Sequence, residues 1–104
     1  MKLTPNFSLH EFKCRDGTEV PKEYMANVQE LAENLQVLRD HIQKPIIVIS
    51  GYRSPEYNKK IGGARRSQHM SANAGDIIVN GMSPDEVKAE IVQLIKDGKM
   101  KKGG

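Results

Sequence analysis

Apolar positions along the chain fall into a few separate patterns. Tyr24, Val28, Leu31, Leu35, Leu38 and Ile42 step alternately by four and three residues. That is one stripe of a helix with about 3.6 residues per turn, and it predicts an amphipathic helix packed on a sheet. Pro21 suits its first turn, and Pro45 ends it. His41 lies in the last turn, where the helix dipole favours a partial positive charge, so a structural role is expected for it. Ile46-Ile47-Val48-Ile49 follows as an unbroken β-branched run between Pro45 and Gly51. It predicts a strand buried on both faces and therefore central in its sheet. A second apolar run, Ile77-Ile78-Val79, opens at Asp76 and stops at Asn80-Gly81, predicting another strand.

Helix starts are marked by polar residues. Ser54-Pro55-Glu56 places a cap, a first-position proline and an acid in order, and Gly62-Gly63 closes the short helix they open. Ser83 and Glu86 have the spacing of a capping box, ahead of an apolar face made by Val87, Ile91, Leu94 and Ile95. Gly98 sits where a helix-ending glycine belongs. Residues 64–75, rich in Ser, Ala, Asn and Gln, read as a loop. Residues 1–20 read as irregular, with a helical turn from Leu9 capped by Ser8 and Glu11, and a turn at Asp16-Gly17. The order is helix, strand, helical turn, loop, strand, helix. We expect a single α+β domain, with helices packed on a small, mainly antiparallel sheet.

Composition narrows the chemistry. The chain has 104 residues, a hydrophobic fraction of 38% and no Trp, so its core must be aliphatic. The net charge of +3 gathers partly in Lys96, Lys99, Lys101 and Lys102, a solvated tail. No nucleic-acid motif accompanies it, and specific nucleic-acid binding is not expected. The single cysteine, Cys14, forms no internal disulfide and is expected to be a small buried hydrophobe. A zinc site built on thiolates is excluded, so any metal must use His and carboxylate. The N-terminal residues hold no apolar signal segment, and no run approaches a membrane span. Synthesis in the cytosol is expected, with no membrane partner.

The polar residues between Ser50 and Asp76 carry the candidate chemistry. A loop histidine such as His69 is often inert, and an acid at a strand start such as Asp76 often only caps it. Together, a loop His and an Asp at the mouth of the next strand can converge on one point, as imidazole and carboxylate ligands of a catalytic zinc. Ser67 is placed to orient that loop or to support a ligand by a hydrogen bond. Arg53, just past the first strand, can form a bidentate pair with a substrate carboxylate, or else a structural ion pair.

SQHMSANAGD, residues 67–76, resembles the S-x-H-x-x-G-x-A-x-D motif of the zinc D-Ala-D-Ala peptidases, peptidase family M15, in their endolysin-like branch. FSLHEFKCRDG, SGYRSPEYNKKIGGA and DIIVNGMSPDEV resemble further stretches of that family, so the likeness covers nearly the whole chain. It implies that His69 and Asp76 bind zinc. It also implies that Arg53 lies near the carboxylate end of a peptidoglycan stem peptide and that Ser67 lies near the metal, with the cell wall as the place of action. Two departures stand out: Ala72 replaces the motif glycine, and Gly75 stands where Ala is common. The resemblance further implies a third ligand, a His, and an acidic base on later strands. The only other histidines, His10 and His41, lie elsewhere. The expectation is a C-terminally incomplete domain of this fold, with little or no activity, that covers its open sheet edge by self-association. The rival reading is a non-catalytic module that binds cell-wall peptides or other anions. A weaker one is a phosphate-binding loop using Lys59, Lys60, Arg65 and Arg66.

Overall fold

A computed structural model of the chain describes residues 1–63, 67–72 and 75–100. The expectations placed on Arg65, Arg66, Lys101 and Lys102 lie outside the described residues. The architecture is α+β. A small hairpin pairs β1 (Lys2–Thr4) with β2 (Phe7–Ser8) and runs into a 3-10 turn, Leu9–Phe12. A second 3-10 turn, Lys22–Tyr24, leads into helix α1 (Met25–Ile42). Strand β3 (Ile46–Ser50), helix α2 (Pro55–Lys60), a 3-10 turn at Gln68–Ser71, strand β4 (Asp76–Val79) and helix α3 (Pro84–Lys96) follow. No helix among the described residues is long and apolar enough to cross a membrane.

The α1 stripe does what its spacing requires. Val28, Leu35 and Leu38 are buried, and Ala32 joins them, while Tyr24, Leu31 and Ile42 pack at the margin. The helix ends at Ile42, ahead of Pro45, because Gln43 turns left-handed (φ 53°) and its N–H caps the Arg39 carbonyl. Helix α3 begins at the capping box read from sequence. Ser83 Oγ accepts from Glu86 N–H, and Ser83 N–H donates to the Glu86 carboxylate. That backbone hydrogen bond, followed by the one from the Ser83 side chain, holds the Glu86 carboxyl below its ordinary range. Its end is closed by Gly98 at φ 72°, with Lys99 N–H on the Leu94 carbonyl.

β3 and β4 pair antiparallel, with Ile46 opposite Val79, Ile47 opposite Ile78 and Val48 opposite Ile77. An irregularity then shifts the register, so that Asp76 comes to lie opposite Ser50. Here the structure corrects one expectation. β3 is not buried on both faces: Ile46 and Ser50 are buried, while Ile47 is 59% and Ile49 38% exposed. The helices cover one face only, through Leu35, Leu38, Val87 and Leu94 packed with Ile46 and Val79. An unbroken apolar run does not reveal by itself whether its second face is covered.

The β1–β2 hairpin was not legible from the sequence, since strands of two or three residues are too short to show a period. Pro5-Asn6 between Thr4 and Phe7 is the turn signal that could have found it. Polar bonds fasten it to α1: Gln29 Nε2 donates to the Leu3 carbonyl at 3.0 Å, and Asn6 N–H to Gln36 Oε1 at 2.9 Å. Phe7 of the hairpin and Phe12 of the 3-10 turn that follows it are almost wholly buried, with ring centroids 6.2 Å apart. His41 finds a partner the dipole argument did not foresee. Its Nε2 lies 2.7 Å from Glu90 Oε2 and links α1 to α3.

Candidate metal centre

The site sits where the β3–α2 connection, the Gln68–Ser71 turn and the head of β4 meet. The connection is held from below. Tyr52 N–H donates to the Phe12 carbonyl at 2.7 Å, and Gly51 lies directly on the Phe12 backbone. Ser54 then starts α2 as the expected cap, accepting from Tyr57 N–H at 3.2 Å. It is also the hub of a network that sequence reasoning missed. Its hydroxyl donates to Asp16 Oδ2 at 2.8 Å, and its N–H donates to Cys14 Sγ at 3.4 Å. Cys14 is buried as expected, yet it also serves as an acceptor. Hydrogen bonds from Thr18 first, then from Cys14 and Ser54, hold the Asp16 carboxyl well below the usual carboxylate range. Nothing in the local spacing signals a contact between Asp16 and Ser54, which only the fold brings together.

His69 is pinned to this connection by two bonds. Its carbonyl accepts from Arg53 N–H at 2.8 Å, and its ring Nδ1 stands 2.7 Å from the Gly51 carbonyl oxygen. A carbonyl only accepts, so Nδ1 carries the proton, and in the neutral ring Nε2 presents a bare lone pair. Ser67 Oγ accepts from His69 N–H at 3.2 Å, so Ser67 shapes the turn. Asp76 heads β4 with its carboxylate 58% exposed. Its Oδ2 lies 3.6 Å from His69 Nε2 and 3.7 Å from an Arg53 guanidinium nitrogen. The structure therefore brings His69, Asp76 and Arg53 to one point and places Ser67 behind the histidine.

The His69–Asp76 separation is too long for a hydrogen bond. It is close to the edge of about 3.3 Å expected between two ligands of a tetrahedral zinc with bonds near 2.0 Å. The fixed Nδ1–H, with a carbonyl as its partner, is the support that metal-ligating histidines commonly receive. The donor set and spacing thus fit two ligand positions of a zinc site. Among the described residues, no group of three His, Cys, Asp or Glu comes together. Arg53 retains donors for a ligand. Its Nε is buried without a hydrogen-bond partner among the described residues, and its contact with Asp76 is long.

The substituted motif position takes the conformation its glycine would have served. Ala72 is left-handed (φ 60°) and fully buried, whereas Gly75 has no positive φ. The strain of about 1–2 kcal/mol at Ala72 is offset by burial of its methyl, worth about 0.8 kcal/mol. The smaller unfolded-state entropy of Ala relative to Gly offsets a further 0.4–1 kcal/mol or so. Ala72→Gly should therefore change stability by less than about 1 kcal/mol in urea unfolding, within the spread of these opposing terms. A gain or loss well beyond that would show that one of them is misjudged.

Two concavities flank the site. One, of about 300 Å³, runs between β4 and α3 and has Asp76 at its mouth. The other, of about 620 Å³, lies beside α2, lined by Lys59, Gly62, Gly63 and Met70 among others.

No curated protein and no solved structure matches the chain. A family model described as Peptidase M15 matches residues 4–102. That span takes in the Phe7–Phe12 anchor, the Gly51–Ser54 connection and the point where His69, Arg53 and Asp76 meet. M15 peptidases are generally zinc-dependent, in keeping with the imidazole and carboxylate found here. From the residues it matches, the chain belongs to the peptidase M15 family.

Proposed function

We propose that this chain carries a zinc-peptidase-type site directed at peptidoglycan stem peptides of the D-Ala-D-Ala type. The supporting observation is the meeting of His69 Nε2 and the Arg53 guanidinium on one carboxylate oxygen of Asp76, at 3.6 and 3.7 Å. His69 and Asp76 supply two zinc ligands, with the His69 ring fixed by the Gly51 carbonyl. Zinc, when bound, supplies Lewis acidity toward the scissile carbonyl and toward water. Arg53 holds the terminal carboxylate of the peptide, in exchange for its long contact with Asp76. Ser67 keeps the turn that aims the histidine.

With two ligands and no acidic base gathered among the described residues, this chain turns over little substrate by itself. The same observation favours a second reading, a module that binds cell-wall peptides without cleaving them. Both readings give Arg53 one task. Calorimetric titration with a peptide ending in D-Ala-D-Ala should show binding weakened about tenfold or more in Arg53→Met, which removes a charge-assisted bond worth about 1.5–3 kcal/mol. The C-terminal amide of the same peptide should bind wild type and variant alike. Equal affinity of wild type for acid and amide would remove Arg53 from substrate recognition. Cleavage products in the same cell, lost with a chelator, would decide for the peptidase over the module.

A further inference from the structure

We propose that Asp16 is a positioning residue for Arg53, a role that rests on Arg53 holding the terminal carboxylate of the peptide: acting through Ser54, Asp16 fixes the direction in which the guanidinium meets that carboxylate. A side chain leaves the backbone in a direction set by the two peptide units that flank its Cα. Both units around Arg53 are tied down. The first carries Arg53 N–H, which donates to the His69 carbonyl at 2.8 Å. The second carries Ser54 N–H, which donates to Cys14 Sγ at 3.4 Å. One residue earlier, Tyr52 N–H donates to the Phe12 carbonyl at 2.7 Å. The backbone of Arg53 thus hangs between His69 and the segment from Phe12 to Asp16.

Ser54 is the joint on the α2 side. It is buried, and its hydroxyl accepts from Tyr57 N–H at 3.2 Å and donates to Asp16 Oδ2 at 2.8 Å. A hydroxyl has one proton to give, so this one is committed to Asp16. The acceptor is an ionised carboxylate, which makes the bond one of the stronger, charge-assisted kind. Asp16 Oδ1 accepts from Thr18 N–H at 2.9 Å, and Cys14 N–H donates to the Thr18 carbonyl at 2.8 Å. One carboxylate therefore clamps both the Ser54 hydroxyl and the turn that presents Cys14 Sγ to Ser54 N–H. Arg53 needs this support because little holds its far end. Its contact with Asp76 is 3.7 Å long, and its buried Nε has no hydrogen-bond partner among the described residues. Bidentate pairing with a carboxylate demands a defined approach, and here the aim comes from the backbone end.

Calorimetric titration of the pure chain with a peptide ending in D-Ala-D-Ala, and with its C-terminal amide, reads the preference for acid over amide. A chelator is present so that turnover does not intrude. In Asp16→Ala that preference should fall about three- to tenfold, the effect of losing one hydrogen bond, with amide binding unchanged. Loss of a negative charge beside an anion site acts in the opposite sense and strengthens acid binding, so a fall is the mark of positioning. Ser54→Ala should show a fall of its own, and the double variant no further one, because both act through one bond. Asp16→Asn, which keeps the shape but has one acceptor oxygen for two donors, should lie between wild type and Asp16→Ala. Hydrogen exchange gives a readout free of ligand. The Arg53 and Ser54 amides should exchange about tenfold faster in Asp16→Ala, while those of Val28 and Leu38 in α1 keep wild-type rates and show the fold intact. A preference kept or raised in Asp16→Ala, additive losses in the double variant, or unchanged exchange at residues 53 and 54 would overturn the role of Asp16 and leave that of Arg53 standing. Wild type that binds acid and amide equally would instead overturn the task of Arg53, and that of Asp16 with it.

Discussion

Gly51→Ala is expected to lower the unfolding free energy by about 2–3 kcal/mol, at the upper end of overpacking costs. It should also weaken metal binding. A Cβ at residue 51 would fall 2.7 Å from both the Phe12 Cα and the Phe12 carbonyl oxygen. Both are backbone atoms, so no side-chain rotation relieves the clash. The Phe12 side chain is fully buried, so the segment below cannot retreat without opening the core. What gives way is the β3–α2 connection itself. That connection carries the Gly51 carbonyl oxygen, which fixes the His69 ring at 2.7 Å, and the Arg53 N–H that holds the His69 backbone. Loss of such a supporting bond typically costs about 10–100-fold in metal affinity. Gly75→Ala is the matched control. Its Cβ would meet Leu31 Cδ2 at 3.4 Å, an ordinary contact, and it should stay within about 0.5 kcal/mol of wild type. Urea unfolding of the two variants checks the contrast. Equal stabilities would mean that the Gly51–Phe12 contact yields easily.

The contrast also marks what could be read from the sequence. Rules that act over three or four residues were legible: the Ser83–Glu86 box, the Ser54 cap, the Gly98 stop and the stripe of α1. Asp76 at the head of a strand was legible for the same reason, because β-branched residues follow it without a break. Features set by distant parts of the chain were not. Gly51 looked like a simple strand terminator, whereas its role is to let Phe12 approach. Asp16 looked like half of a turn, whereas its carboxylate accepts from Ser54 and steadies the helix that follows Arg53. The bare faces of Ile47 and Ile49 were hidden by an apolar run that reads the same with one face covered or two. Ala72 was legible in part. The motif pointed to a glycine-like backbone there, and the left-handed φ shows it, but only burial shows why alanine is tolerated.

The second large effect concerns His69. In His69→Ala the imidazole is removed from a pair in which Nε2 and Asp76 Oδ2 stand 3.6 Å apart. Asp76 is then left with Arg53 as its neighbour, an arrangement that neutralises the carboxylate and offers a cation little. Zinc affinity should fall by more than about 100-fold, beyond the range seen when only a supporting residue is lost. Stability should change little by comparison, because the ring contributes one hydrogen bond, worth about 1 kcal/mol. Asp76→Asn should lose most of the affinity too, since the amide keeps the shape and removes the negative charge. Ser67→Ala, which loosens the turn and touches neither ligand atom, should lower affinity more modestly.

The most direct measurement is therefore a zinc titration of the pure chain by isothermal calorimetry, run side by side with His69→Ala and Asp76→Asn. The account predicts one zinc per chain for wild type and no measurable binding for either variant, with all three proteins equally folded. Zinc bound by His69→Ala as tightly as by wild type, or no zinc bound by any of them, would contradict it.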